Sequence, residues 1–172
     1  MTSGPIERYL PEVCRVDALR RDARAGLTAA PKWLPPKWLY DAAGSALFDK
    51  ITSLPEYYPA RTERLILAGA AGQIAAASGA HTLAELGSGS SDKTRLLLDA
   101  LRETGTLRRY VPIDVSQSAL AGASQRLRAA YPGLVIQPVL ADFTQHPSVP
   151  ADVPGRRLVA FLGSTNNRAM RW

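Results

Sequence analysis

Residues 82–94 read TLAELGSGSSDKT, and this stretch decides the fold. TLAEL is a short apolar run ending beside an acid, the pattern of a buried strand. Gly87 and Gly89 then open a loop, and RLLL (95–98) continues into a helix predicted over 91–104. The two glycines let a ligand approach the backbone with no Cβ in the way. The helix start offers free N–H groups, a favourable place for an anion, with Ser91 or Asp92 as its cap. A dinucleotide-binding turn places a third glycine where the helix packs on the strand, and here that position is Asp92. The stretch therefore points to a nucleotide-type pocket and away from NAD.

Downstream, short apolar strands alternate with helices: RYVPID (109–114), a helix over 116–130, LVIQPVLAD (134–142) and RRLVAFLG (156–163). This alternation predicts an α/β fold with a parallel sheet covered on both faces and right-handed crossovers. Ligands in such a sheet bind outside the carboxyl ends of the strands. Asp114 stands at the second strand end, 25 residues past Gly89. There it has two readings, as the acceptor for both hydroxyls of a ribose or as the N-cap of the next helix, and the glycine loop upstream favours the ribose. Asp142 and Phe143 follow the third strand, placed to accept from an adenine amine and to pack beside the ring. A glycine loop and two acidic strand ends describe an adenosine cofactor. Without the third glycine, S-adenosylmethionine fits better than a dinucleotide. Lys93 is either a surface lysine or a partner for the carboxylate of the methionine end.

The first half of the chain has a different grammar. Residues 6–26 read as a helix, with Val16, Leu19 and Ala23 at helical spacing. LTAAPKWLPPKWLY (27–40) cannot be a regular helix, because Pro31, Pro35 and Pro36 remove donors and push their predecessors extended. Trp33, Trp38 and Tyr40 interleave with these prolines to make a stiff aromatic arm, either packed over a helix or walling a pocket. A short helix is predicted over 41–54 with Leu47, Phe48 and Ile51 on one stripe. Pro55 and Pro59 then bracket Glu56, Tyr57 and Tyr58, and a helix over about 60–78 carries Leu65, Ile66, Ala70 and Ile74. The expected organisation is an N-terminal helical and aromatic part (1–80), a cofactor-binding α/β part (81–165) and a divergent tail (166–172).

Composition narrows the function classes. Hydrophobic residues make up 46% of the 172, enough for a packed core. No apolar run approaches a membrane span, and the first residues show no signal-peptide pattern. Cys14 is the single cysteine, which excludes an internal disulfide and fits a reducing cytoplasm. His81 and His146 are isolated, so no transition-metal spacing is present. The net charge of +6 is spread over scattered arginine pairs (Arg20 with Arg21, Arg108 with Arg109, Arg126 with Arg128, Arg156 with Arg157). These read as solvated faces, with no aromatic-plus-basic module for nucleic acid.

The stretches LPPKWLYDAAGSALFDKITSLPEYYPARTE (34–63), LAELGSGSSDKTRLLLDAL (83–101), VPIDVS (111–116), YPGL (131–134), ADF (141–143) and RRLVAFLGST (156–165) together resemble the histidine-specific methyltransferases of ergothioneine biosynthesis. The likeness runs from about residue 8 to Thr165. It implies a class I methyltransferase fold and transfer of methyl groups from S-adenosylmethionine to the α-amine of L-histidine, giving hercynine. Gly87 and Lys93 then match cofactor contacts, Asp114 the ribose ligand, and Asp142 with Phe143 the adenine contacts. Tyr57 matches a substrate-binding tyrosine and Tyr40 a tyrosine bordering the histidine site, which moves the aromatic arm toward pocket wall. No general base is assigned. The family continues GST with Ile-Gly-Asn, and its substrate-holding asparagine aligns with Arg168 here, with Asn166 and Asn167 out of register. The resemblance therefore implies a truncated, weakly active or inactive form whose incomplete sheet leaves LVAFL on an open edge. Such an edge invites self-association. Two rival expectations are an NAD(P)-linked oxidoreductase and a non-catalytic cofactor-binding remnant.

Overall fold

The computed structural model describes residues 6–9, 12–145, 154–163 and 170–171. In chain order they form β1 (Glu7–Arg8), α1 (Glu12–Thr28), β2 (Trp33–Leu34), a 3-10 turn (Pro36–Leu39), α2 (Ala42–Thr52), α3 (Tyr58–Ser78), β3 (Thr82–Leu86), α4 (Arg95–Glu103), β4 (Arg109–Asp114), α5 (Gln117–Ala130), β5 (Val135–Ile136), β6 (Val139–Leu140), β7 (Arg157–Ala160) and β8 (Met170–Arg171).

The main sheet runs β1-β6-β4-β3-β7, with β5 also on β4, and every pairing in it is parallel. The sheet is open and fits the class I methyltransferase fold that the resemblance implies, with β3 and its glycine loop between β4 and β7. Side chains alternate across the pleat. Leu83 and Tyr110 face Leu67, Ala71 and Ala75 of α3 and Leu97, Leu98 and Leu101 of α4. Ala84, Val111, Ile113 and Val139 form a smaller cluster with Phe143 packed on it.

The structure departs from the sequence reading in five places, each with a local cause. The helix after the glycine loop starts at Arg95 with Thr94 at its N-cap and no side-chain cap, in place of the expected Ser91 or Asp92, because Ser91 sits at a φ of 58°, in the left-handed region. The N-terminal helix starts at Glu12, and Glu7–Arg8 instead adds a parallel strand to β6, with the Glu7 N–H donating to the Pro138 carbonyl at 3.0 Å. The predicted strand 134–142 is split into β5 and β6 at the level of Pro112, which faces them from β4 and has no N–H to donate. On α3 the buried face is Leu67, Ala71 and Ala75, while Leu65 and Ile66 are 74% and 64% exposed. Small alanines let α3 lie close on α4, a packing advantage that a reading weighted to large apolar residues misses. On α2, Leu47 and Ile51 are likewise exposed and Phe48 alone of its stripe is half-buried.

The aromatic arm is irregular beyond Thr28, as its prolines require. β2 pairs antiparallel with β8, Trp33 opposite Arg171 and Leu34 opposite Met170. A Cβ on Gly26 of α1 would lie 1.9 Å from the Trp33 carbonyl oxygen, so glycine there permits the arm to fold back on α1. Ser164 through Arg168, His146 and the side chain of Cys14 lie outside the described residues.

Candidate functional site

The site is built where β3, β4 and β6 end. After β3 the chain turns through Gly87 and Gly89 at φ of 68° and 51°, in the left-handed region that favours glycine. The Gly87 N–H donates to the Ile113 carbonyl at 2.8 Å, carrying the β3–β4 ladder into the loop. The Gly89 N–H then donates to Oδ2 of Asp114 at 2.8 Å, and the Ser116 N–H donates to Oδ1 at 2.8 Å. Ser116 caps α5 with its own side chain, accepting from the Ala119 N–H at 3.4 Å, so Asp114 is not the cap. Burial pushes the Asp114 carboxyl up, against the backbone N–H groups of Gly89, Ser116 and Val115.

Asp142 follows β6. Its Oδ1 accepts from the Thr144 N–H at 3.0 Å and from the Thr144 hydroxyl, and its Oδ2 accepts from Nζ of Lys37 at 3.0 Å. Burial works to raise this carboxyl, but the bonds from Thr144 and the Lys37 ammonium outweigh it and hold it below the usual range. Phe143 packs edge-on against Phe161 at 5.6 Å between ring centroids. A cavity of about 300 Å³ is lined by Tyr40, Gly87, Gly89, Asp114, Asp142 and Phe143. The five predicted cofactor residues thus divide, four around this cavity and Lys93 beyond it.

Lys93 lines a second cavity of about 760 Å³ with Tyr57, Glu63 and Gly163. Gly87, Gly89, Phe48 and Asp49 border both cavities, so the two meet at the glycine loop. Lys93 pairs with Oε2 of Glu63, whose Oε1 accepts the Gly163 N–H at 2.6 Å. Glu63 therefore joins α3, the glycine loop and the end of β7. Sequence reasoning did not single it out, although it closes the PEYYPARTE stretch; its partners lie 30 and 100 residues away in the chain. Tyr40 and Tyr57 are brought together through Phe48, whose ring meets theirs edge-on at 5.7 and 6.1 Å. One predicted substrate tyrosine borders each cavity, with Phe48 between them.

Glu85 is the second residue missed. It lies beneath the loop, 2% exposed, and its Oε2 accepts from the Thr94 hydroxyl at 2.5 Å and from the Tyr110 phenol. Burial pushes its carboxyl up to about 7, against those two hydrogen bonds and the charge of Lys93. The signal was an acid inside an apolar strand, which only pays off when a partner for it is known.

The chain matches the family described as "Histidine-specific methyltransferase, SAM-dependent" over residues 19–167. This chain belongs to that family. It is 57% identical over 160 residues to a histidine N-alpha-methyltransferase of Mycolicibacterium smegmatis, covering 93% of this chain and 50% of that protein. It is 53% identical over 162 residues to the protein of the same name from Mycobacterium tuberculosis, again covering 93% of this chain and 50% of the relative. An ergothioneine biosynthesis protein 1 of Schizosaccharomyces pombe is 38% identical over 99 residues, 55% of this chain and 13% of the relative. The chain thus spans about half the length of the mycobacterial relatives it matches.

The residues present fit the S-adenosylmethionine that the family uses. Open space lies over Gly89, where an added Cβ would meet nothing within 4 Å. The buried hydroxyl of Ser88, on the loop, has no hydrogen-bond partner among the described residues, an unused polar group facing the second cavity. Both strand-end carboxylates retain acceptor lone pairs. Among the described residues no group of His, Cys, Asp and Glu is arranged to hold a metal ion, and no helix is long and apolar enough to cross a membrane.

Proposed function

We propose that this chain forms the cofactor seat of an S-adenosylmethionine-dependent N-methyltransferase that converts L-histidine to hercynine on the route to ergothioneine. The reading is carried by 57% identity over 160 residues to a protein named for histidine Nα-methylation. The glycine loop and the carboxylates of Asp114 and Asp142, gathered on one cavity, support its cofactor half.

In this reading Asp114 receives the ribose hydroxyls and Asp142 the adenine amine, with Phe143 beside the ring. Gly87 and Gly89 admit the ligand to the backbone, and Lys93 offers its charge to the carboxylate of the methionine end. When bound, the cofactor supplies a methyl group on a positively charged sulfur. The work left to the protein is alignment and desolvation of an attacking amine, which removes as much as roughly 7–11 kcal/mol of barrier in favourable cases. That amine must be neutral to attack. Tyr57 and Tyr40, held through Phe48, bound the space where the amino acid would sit.

Among the described residues these two tyrosines are the substrate candidates. A small-molecule substrate and a cytoplasmic setting complete the proposal. Titration with S-adenosylhomocysteine followed by amino acids tests it. Saturation, and then preference for L-histidine, supports both halves. Cofactor binding with no preference among amino acids would retain the cofactor and overturn the substrate.

A further inference from the structure

Lys37 reaches from the aromatic arm to a strand end. Its Nζ lies 3.0 Å from Oδ2 of Asp142 and 3.5 Å from Oδ2 of Asp22 on α1. It also stands 5.1 Å from the centroid of the Trp38 ring, and Trp38 donates its indole N–H to the same Asp22 oxygen at 3.0 Å. Asp142 is 5% exposed, with Oδ1 occupied by Thr144 and Oδ2 by Lys37. A carboxylate oxygen has two acceptor positions, so Oδ2 keeps one for a ligand donor. Lys37 and Asp142 both line the cavity that also holds Asp114 and Tyr40.

A buried carboxylate that loses its cation is left with its desolvation cost and protonates more readily, and the neutral acid is a poorer acceptor. We propose that Lys37 is a positioning residue of the cofactor site: it fixes the Asp142 carboxylate toward a nucleobase amine and ties the arm, with Tyr40 three residues on, to that seat. The inference rests on the adenosine reading above. It makes cofactor binding and ordering of the arm reciprocal, since whatever stabilises the pair favours both. The substrate-side tyrosine is then set by occupancy of the cofactor side. The charged groups around the pair, among the described residues, are Asp22 on α1 and, lining the same cavity, Asp49 of α2, Asp114 at the end of β4 and Arg126 of α5.

The test is calorimetric titration of S-adenosylhomocysteine into the full chain and into Lys37→Met and Lys37→Arg, with hydrogen exchange followed over residues 27–40. Lys37→Met is expected to bind about tenfold more weakly at neutral pH. Its deficit relative to the wild type should widen as the pH falls from about 8 to about 5, because an unpaired Asp142 protonates more readily. Lys37→Arg should stay within about threefold of the wild type. Ligand should slow exchange in the arm of the wild type and of Lys37→Arg, but not of Lys37→Met. Should Lys37→Met fail to fold, Lys37→Gln gives the same comparison with the same widening deficit. A neutral variant with wild-type affinity, pH profile and arm protection overturns the inference and leaves the cofactor reading standing. A wild-type chain that gives no heat with S-adenosylhomocysteine overturns both.

Discussion

The N–H of Gly89 donates to the carboxylate of Asp114 at 2.8 Å, so the glycine loop after one strand is held by the acid at the end of the next. The carboxylate has two duties, shaping the loop and offering lone pairs to the cavity. Asp114→Ala strands the N–H groups of Gly89 and Ser116 and is expected to cost about 1–3 kcal/mol of stability. Its loss of S-adenosylhomocysteine affinity should exceed what the stability change alone accounts for. Urea unfolding and calorimetry on the same variant separate the two, and unchanged affinity would remove Asp114 from the cofactor site.

Glu85 makes stability depend on pH in an unusual direction. Its folded-state carboxyl sits at about 7 against 4.5 for an ordinary glutamate. Between these values the folded chain holds the proton more tightly than the unfolded one, so stability falls as pH rises through the window. The loss approaches about 3 kcal/mol once both states are ionised. The lowered carboxyl of Asp142 acts in the opposite sense and below this window, where stability is lost as pH falls. Glu85→Gln keeps an oxygen for Thr94 and Tyr110 and removes the charge. Denaturant midpoints measured from acid to neutral pH should slope downward for the wild type and flatten for Glu85→Gln.

Lys93 can be separated from the nucleoside contacts by choice of ligand. Lys93→Met should weaken S-adenosylhomocysteine, which carries an amino-acid carboxylate, by about tenfold. It should leave 5′-methylthioadenosine, which lacks that end, within about twofold. Equal losses for both ligands would mean that Lys93 serves only to brace Glu63 and the end of β7.

β7 pairs with β3 on one side, and among the described residues no strand covers its other side. Val159 and Phe161 are 53% and 46% exposed there. An apolar edge of this kind pairs with other chains. Sedimentation should show mass rising with concentration, and Val159→Lys should suppress it. A monodisperse wild type across the accessible concentration range would refute self-association through this edge.

The sheet order came only with the family resemblance, whereas the strands and the strand-end acids were readable because each is encoded locally, as an apolar run, a glycine turn and an acid in sequence. The face of α3 was not, because its burial is set by close helix approach over Ala71 and Ala75, which hydropathy undervalues. The β5–β6 break depends on Pro112 of the neighbouring strand, whose missing N–H matters only once the two strands pair. Glu63 and Lys37 escaped notice for a common reason: a charged residue in a helix or an arm looks solvated until folding brings its partner across 30 or 105 residues. Glu85 was visible as an acid in a strand but had no legible partner, since Tyr110 and Thr94 converge on it only in three dimensions.

Gly89, Asp114 and Asp142 are proposed to form an adenosine seat specific for the methyl-donor cofactor. Parallel calorimetric titrations of the chain with S-adenosylhomocysteine and with NADH test it most directly. Saturating heat with one S-adenosylhomocysteine per chain, and none with NADH, is the predicted result. No heat with S-adenosylhomocysteine at millimolar concentration, or binding of NADH in preference to it, would contradict the account.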